Sequence, residues 1–202
     1  QEKEFEEFCQ AATKELAARL LAKVIKRTPV GTIPELDGPL TVKVRGESYI
    51  AQTTTRSGEK VFRKRKGKSY TLLTKAGQIR EKYWSGYSGG TLRRGWTAKT
   101  EGQAAAGSGN GQDPYQYAQS LSIQKAGSNY IIEIINPVSY ASYVEYGHRQ
   151  TPGRYVPALG KRLKASGVPG RYMLTISEQE IRRQAPALLE KKLQGFLKEI
   201  MK

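Results

Sequence analysis

Apolar residues recur at spacings of three and four from about residue 2 to residue 28, which predicts an amphipathic helix. Glutamates near its start and basic residues near its end suit the helix dipole. Pro29 ends the helix, because proline disfavours a helical residue before it. The predicted apolar stripe contains Phe5, Phe8, Cys9, Ala12, Leu16, Leu20 and Val24.

A second long helix is predicted from residue 173 to the end of the chain. Pro186 lies inside it and either kinks the helix or begins a new one at its own first turn. Its stripe is formed by Leu189, Leu193, Phe196, Leu197 and Ile200. Both ends of the chain are therefore predicted to be helical, with one apolar face each.

The region between them is predicted to be richer in strands. Residues 40–46 and 48–55 alternate as strands do, and the turn SGEK separates them from 61–68, which ends in a very basic tip. Residues 72–84 are predicted to form a short helix. Residues 91–100 are predicted to form a strand that places Leu92 and Trp96 on one face.

The clearest strand pattern follows a glycine-rich stretch at 101–113, which is predicted to be a loop. Residues 120–125 and 129–136 flank the turn AGSN, a hairpin pattern whose second strand is apolar enough for the centre of a sheet. Residues 138–147 are predicted to be a short helix closed by Gly147. Prolines and glycines then predict an extended arm over about 148–172.

This order of elements predicts an α+β fold, an antiparallel sheet packed by the N-terminal and C-terminal helices. The chain has 202 residues, enough for one domain with a core of its own. We expect a single domain over 1–202.

Charge is distributed unevenly along the chain. There are 34 basic and 18 acidic residues, and residues 56–99 alone hold thirteen basic against two acidic, a net +11. Such a region meets nucleic acid, an acidic partner protein, or only solvent as a charged hairpin tip. Phe62 lies inside the densest run, where the candidate contacts to DNA or to an acidic partner are Lys60, Arg63, Lys64, Arg65, Lys66 and Lys68.

Catalytic chemistry is not indicated. His148 is the only histidine, and Cys9, the only cysteine, lies in the predicted apolar stripe. Glu145 and His148 match half of a carboxylate-bridged two-metal site, but such a site needs a second Glu-x-x-His. Glycines show no phosphate-binding pattern. We therefore expect no enzyme activity, no cofactor and no metal, and no apolar run is long enough to cross a membrane.

Three tyrosines, Tyr140, Tyr143 and Tyr146, recur at a spacing of three in the helix predicted over 138–147. This spacing places them on one slowly drifting face. The face is either part of the core or a surface for another protein, where tyrosine is enriched. The arm that follows is too rich in proline and glycine to form a core element, so we expect it to lie on a neighbour.

Two motifs, in this order, resemble a family of tail-completion or head–tail connector (neck) proteins of long-tailed bacteriophages. The first is Arg-Thr-Pro-Val at the end of a helix, residues 27–30, followed by a Leu-Arg-x-x-Trp segment, which here spans 92–96. The second is Tyr-Ala-x-Tyr-Val-Glu-aromatic-Gly at 140–147, followed by Arg149 and Pro152. The resemblance covers about 1–32 and 89–202, and implies that about 33–88 is an insertion.

The resemblance also implies a function. Such proteins do no covalent chemistry; they form a ring, commonly of six copies, between the head-completion ring and the tail tube or its terminator, and they leave a channel for DNA. We therefore expect a virion protein, made in the host cytoplasm, that binds itself and these neighbours. Its expected interface residues are Tyr140, Tyr143, Tyr146, Arg149, Arg154 and Tyr155. The alternative function is a basic nucleic-acid-binding module that uses 56–99.

Overall fold

The computed structural model describes residues 2–107 and 111–201, and its α+β fold confirms the predicted class. The chain divides into two compact units. The first contains residues 1–32, 88–150 and 165–202, and the second contains 33–87 and 151–164. The second unit thus contains almost all of the segment expected to be an insertion.

The first unit contains both long helices. Its helices are α1 (Glu2–Arg27), α3 (Thr91–Gly95), α4 (Glu101–Ala106), α5 (Pro114–Ser120), α6 (Ala141–Tyr146) and α7 (Met173–Ile200). Its strands are β5 (Gln124–Ala126), which pairs with β6 (Asn129–Ile131), and β7 (Gly147–Arg149), which pairs with β10 (Gly167–Pro169).

The second unit consists of strands around one helix, α2 (Lys75–Trp84). The strands are β1 (Thr41–Arg45), β2 (Tyr49–Thr54), β3 (Lys60–Arg65), β4 (Ser69–Leu73), β8 (Tyr155–Val156) and β9 (Lys161–Arg162). A short 3-10 turn, Pro157–Leu159, lies between β8 and β9 and packs on α2, where the Trp84 Nε1 donates to the Ala158 carbonyl at 2.7 Å.

The core of the first unit is centred on α1. Ala18, Leu21 and Val24 are fully buried among residues of α3, α5 and α7. The predicted stripe is correct at Ala12 and Val24, but Ala17, Ala18 and Leu21 lie outside it. Because α1 packs against α5 as well as α7, it buries more than one stripe.

Three predictions about local structure are wrong. Residues 91–95 form a helix and not a strand, although Leu92 and Trp96 are both buried as expected. Residues 101–106 form a helix that begins at the Thr100 cap and lies inside the predicted loop; residues 108–110 of that loop fall outside the described part. The strand expected at 129–136 ends at Ile131 and pairs only with β5, so it is not central.

Helices α7 and α2 follow the predictions more closely. Helix α7 runs through Pro186 without ending, so no second helix begins there. Helix α2 begins only at Lys75, because Leu72 and Leu73 belong to β4. In the described ranges, no helix is long and apolar enough to span a membrane.

Strands β1 to β4 form two antiparallel two-stranded ladders, β1–β4 and β2–β3, which follow one another along the same two chain segments. Thr41 lies opposite Leu73, and Thr54 lies opposite Lys60 in the same register, so residues 46–48 and 66–68 join the two ladders without a bulge. At about 3.3 Å per residue, each strand spans up to roughly 45 Å. We call residues 41–73 the basic ribbon.

The joint within the basic ribbon requires glycine. A Cβ atom on Gly67 would lie 2.3 Å from the Glu47 carbonyl oxygen, and one on Gly46 would lie 2.6 Å from the Lys68 carbonyl oxygen. Both contacts are with backbone, which cannot move aside cheaply. The two glycines therefore allow the strands to approach closely where the ladders meet.

Candidate functional site

The glutamate of the Glu-x-x-His pair has a structural role. Glu145 is buried on α6, and its carboxylate accepts hydrogen bonds from the backbone N–H groups of Leu174 and Thr175, each at 3.0 Å. The Thr175 hydroxyl donates a third, at 2.8 Å. These N–H groups lie in the first turn of α7, where they have no partner within the helix. Glu145 therefore caps α7, and its oxygens are already in use.

The tyrosines of the same region point to solvent. Tyr140 is 40% exposed, Tyr143 58% and Tyr146 66%, so these residues do not form a core face. We call them the tyrosine face. Three exposed aromatic side chains, two on α6 and one at its N-cap, are the amphipathic surface that protein interfaces favour.

The histidine lies just beyond this face. Gly147, with a φ of 81°, ends α6 as predicted, and it is also the first residue of β7. The His148 ring makes an edge contact with Tyr143, with ring centroids 5.8 Å apart, and its Nε2 is 3.3 Å from the Gln150 amide nitrogen. Within residues 2–107 and 111–201, no group of three or more His, Cys, Asp or Glu side chains is arranged to hold a metal ion.

The arm expected to be extended over 148–172 instead folds back on itself. The β7–β10 and β8–β9 ladders are both antiparallel, and the Gln150 N–H donates to the Ser166 carbonyl between them. The remaining expected interface residues are exposed but divided between units: Arg149 belongs to the first, and Arg154 and Tyr155 to the second.

An apolar groove that the sequence did not single out lies in the first unit, between α1, α7 and the start of β6. It has two of the three rings of an aromatic cluster, in which the Phe8 and Phe196 centroids are 4.7 Å apart. Glu190 borders it. The only sequence signal was that the stripes of both helices continue to this end. We call this surface the apolar groove, lined among others by Phe5, Phe8, Leu16, Leu189 and Leu193.

The candidate basic residues lie in the basic ribbon of the second unit. Lys60, Arg63, Lys64 and Arg65 belong to β3, and Lys66 and Lys68 follow in the joint. The prediction of a basic tip is wrong, because the tip is formed by Thr55–Glu59, where the Thr55 N–H donates to the Glu59 carbonyl at 2.9 Å. All six side chains are exposed.

Other cations of the 56–99 region serve the fold. The Arg94 side chain is buried and donates to the carbonyls of Ala104 at 2.7 Å and Gly89 at 3.0 Å. The Arg93 guanidinium donates twice to the Thr28 carbonyl. The high net charge of residues 56–99 therefore does not correspond to one continuous basic surface.

The Arg-Thr-Pro-Val and Leu-Arg-x-x-Trp segments meet in the first unit. Thr28 is completely buried; its hydroxyl accepts a hydrogen bond from the Trp96 Nε1 at 2.8 Å and donates to the Val24 carbonyl at 2.7 Å. Arg93, which belongs to the same Leu-Arg-x-x-Trp segment as Trp96, donates a hydrogen bond to the Thr28 carbonyl. Two segments more than 60 residues apart thus form one hydrogen-bonded junction, which fixes the end of α1.

Comparison with known families identifies the family of this chain. The family described as "Bacteriophage HK97-gp10, putative tail-component" matches residues 1–147. The chain belongs to this family of phage tail components, and its role is that of a structural protein of the phage particle. No curated protein and no solved structure matches the chain.

Proposed function

We propose that the chain is a neck or tail-completion subunit, and that six copies of it form a ring around the DNA channel. The ring joins the head-completion or connector ring to the tail terminator or tail tube and does no covalent chemistry. The observation that carries this proposal is the exposed tyrosine face within a member of a phage tail-component family.

A closed ring needs two different, complementary surfaces on each subunit. The first unit has an exposed aromatic surface, the tyrosine face, and a separate apolar groove bordered by Glu190. Arg149 follows the tyrosine face directly in β7, which supplies charge opposite to that border. We propose that the tyrosine face of one copy docks in the apolar groove of the next.

The two surfaces can be tested separately with Tyr143→Asp and Leu193→Asp. Each change adds a charge to one partly exposed surface, so each variant alone should be a folded monomer. Tyr115→Asp is the matched control, because Tyr115 is 49% exposed on another short helix of the same unit. The measurements are mass by light scattering and helix content by circular dichroism.

Mixing the two variants gives the sharper result. Tyr143→Asp keeps its groove and Leu193→Asp keeps its tyrosine face, so one intact contact remains between unlike copies. The mixture should therefore form dimers but no larger species. A wild-type chain that stays monomeric, alone and with purified particle components, would refute the ring; unaltered assembly by both variants would refute these two surfaces.

A further inference from the structure

The cations of the basic ribbon have no anionic partner in the described part of the protein. Residues 41–73 contain nine lysine and arginine residues against two glutamates, a net +7. The ion pairs described for residues 2–107 and 111–201 all join side chains outside this segment. Because like charges so close together repel, the ribbon is built to meet an external anion.

These cations occupy both faces of the ribbon. Successive residues of a strand point to opposite faces, and directly opposed residues share one. The β2–β3 register therefore places Lys60 and Lys64 on one face and Arg63 and Arg65 on the other. The aromatic rings are divided in the same way, with Phe62 beside the lysines and Tyr49 beside the arginines.

Both faces are also open. On the lysine face, Ile50 is 73% and Phe62 72% exposed. On the arginine face, Tyr49 is 58% exposed and both arginines are exposed, whereas Ala51, Thr53 and Val61 are partly exposed. A strand pair covered by a flat partner would carry its contacts on one face. Cations on two open faces instead fit an anion that surrounds the ribbon.

We propose that the basic ribbon binds duplex DNA through its phosphates, seated in a groove. The major groove of DNA admits a two-stranded ribbon, and a ribbon that enters it edge-on turns each of its faces toward one of the two phosphate backbones. Side chains on one face repeat every second residue, at about 6.6 Å, so several contact one backbone in turn. The inference goes beyond ring formation and does not require it.

Recognition of this kind depends on charge and not on base sequence. Lysine meets phosphate as a flexible point charge, whereas sequence is recognised through hydrogen bonds to base edges. We therefore expect similar affinity for duplexes of different sequence. Each phosphate contact contributes about 0.9 to the slope of log affinity against log salt concentration.

The test measures fluorescence anisotropy of a labelled 30-base-pair duplex at several sodium chloride concentrations. The variant carries Lys60→Gln, Lys64→Gln, Lys66→Gln and Lys68→Gln. The control removes four exposed charges elsewhere, with Lys26→Gln, Arg183→Gln, Lys191→Gln and Lys198→Gln. We expect the ribbon variant to bind at least about tenfold more weakly and its salt slope to be shallower by about 3 to 4, while the control changes much less.

Three outcomes would overturn the proposal. The first is equal loss of affinity in both variants, which would mean that only net charge matters. The second is unchanged DNA affinity with new self-association of the ribbon variant, since edge lysines also prevent strands from pairing. The third is unchanged DNA affinity with lost binding to particle proteins, which would identify an acidic protein as the partner.

The same measurement separates this inference from the ring. Repeating it in the Tyr143→Asp background asks whether the monomer binds DNA through the ribbon. Salt-dependent binding by a wild-type chain that stays monomeric would refute the ring and keep the ribbon proposal. A ring with no affinity for DNA would do the reverse.

Discussion

Arginine residues in the two units are used in opposite ways. Arg93 and Arg94 donate to backbone carbonyls of the first unit, and Arg94 is buried there. Arg63 and Arg65 of the basic ribbon are exposed on one face of a strand pair, without a described ion-pair partner. All four belong to the same 56–99 region of high positive charge. The net charge of a sequence segment therefore does not give the charge of a surface. The structure is needed to show which cations are bound within the fold and which are exposed.

The comparison extends to the units as a whole. The hydrogen bonds of the family motifs lie at the end of α1 and hold the first unit together. The basic ribbon makes its backbone bonds within itself and leaves apolar side chains such as Ile50 in solvent. We infer that the first unit carries the stability of the family fold, and that the ribbon adds a surface.

The largest expected difference between the units is in how much the free energy of unfolding falls when one aromatic side chain is removed. Trp96→Ala should lower the free energy of unfolding by about 3–5 kcal/mol, because it leaves a cavity in the core. It also leaves the Thr28 hydroxyl without its buried donor. Phe62→Ala should change the free energy of unfolding by less than about 0.5 kcal/mol, because the side chain is mostly in solvent.

Denaturant unfolding measures both variants with two probes. Circular dichroism at 222 nm follows the first unit, which contains the long helices α1 and α7, and tryptophan fluorescence includes Trp84 of the second unit. Phe62→Leu, which keeps an exposed apolar side chain, is the control on the ribbon. Similar losses for Trp96→Ala and Phe62→Ala would mean that the ribbon is covered in the folded protein and that the contrast between the units is wrong.

The second prediction concerns two glutamates of the first unit. Glu145→Gln should cost about 1.5–3 kcal/mol, because the amide cannot accept at both oxygens the hydrogen bonds that cap α7. The matched change Glu133→Gln, at an exposed position, should cost less than about 0.5 kcal/mol. Thermal unfolding of the two variants gives the comparison.

A Glu145→Gln variant as stable as the wild type would show that the cap contributes little. Thr175→Val offers an independent check, because it removes only the hydroxyl that donates to Glu145. Its loss should be smaller than that of Glu145→Gln, since the two backbone N–H bonds remain.

Periodicity predicted the elements that bury one face. Helix α1 ends at Arg27, within one residue of its predicted end at 28, and α6 ends before Gly147 as expected. Helix α7 begins at Met173, the first residue of the predicted segment. These elements were predictable because apolar spacing and helix-ending residues are local signals.

Other features depended on distant partners. Residues 91–95 were predicted to be a strand, yet they form a helix, and Arg93 and Trp96 both donate to Thr28, more than 60 residues away. Glu145 looked like half of a metal site, and only the position of α7 gives its carboxylate a role. The basic ribbon was predicted as separate short strands because the pairing of Thr41 with Leu73 spans 32 positions.

The smallest expected difference lies in pH dependence. A hydrogen bond from Lys192, followed by that from Arg19, holds the pKa of Glu15 below its ordinary value of 4.5. Lys23 and then Arg27 lower the pKa of Glu180 in the same way, and these pairs join α1 to α7. Both glutamates therefore stabilise the fold fully above about pH 4.5, and the contribution is lost as pH falls through their lower folded pKa values.

The melting temperature of Glu15→Gln/Glu180→Gln should be below that of the wild type at pH 6, and the gap should close toward pH 3. Cations of the basic ribbon lack such partners, so the four-lysine variant should melt with the wild type at pH 6; a comparable gap there would mean that the ribbon cations are paired after all.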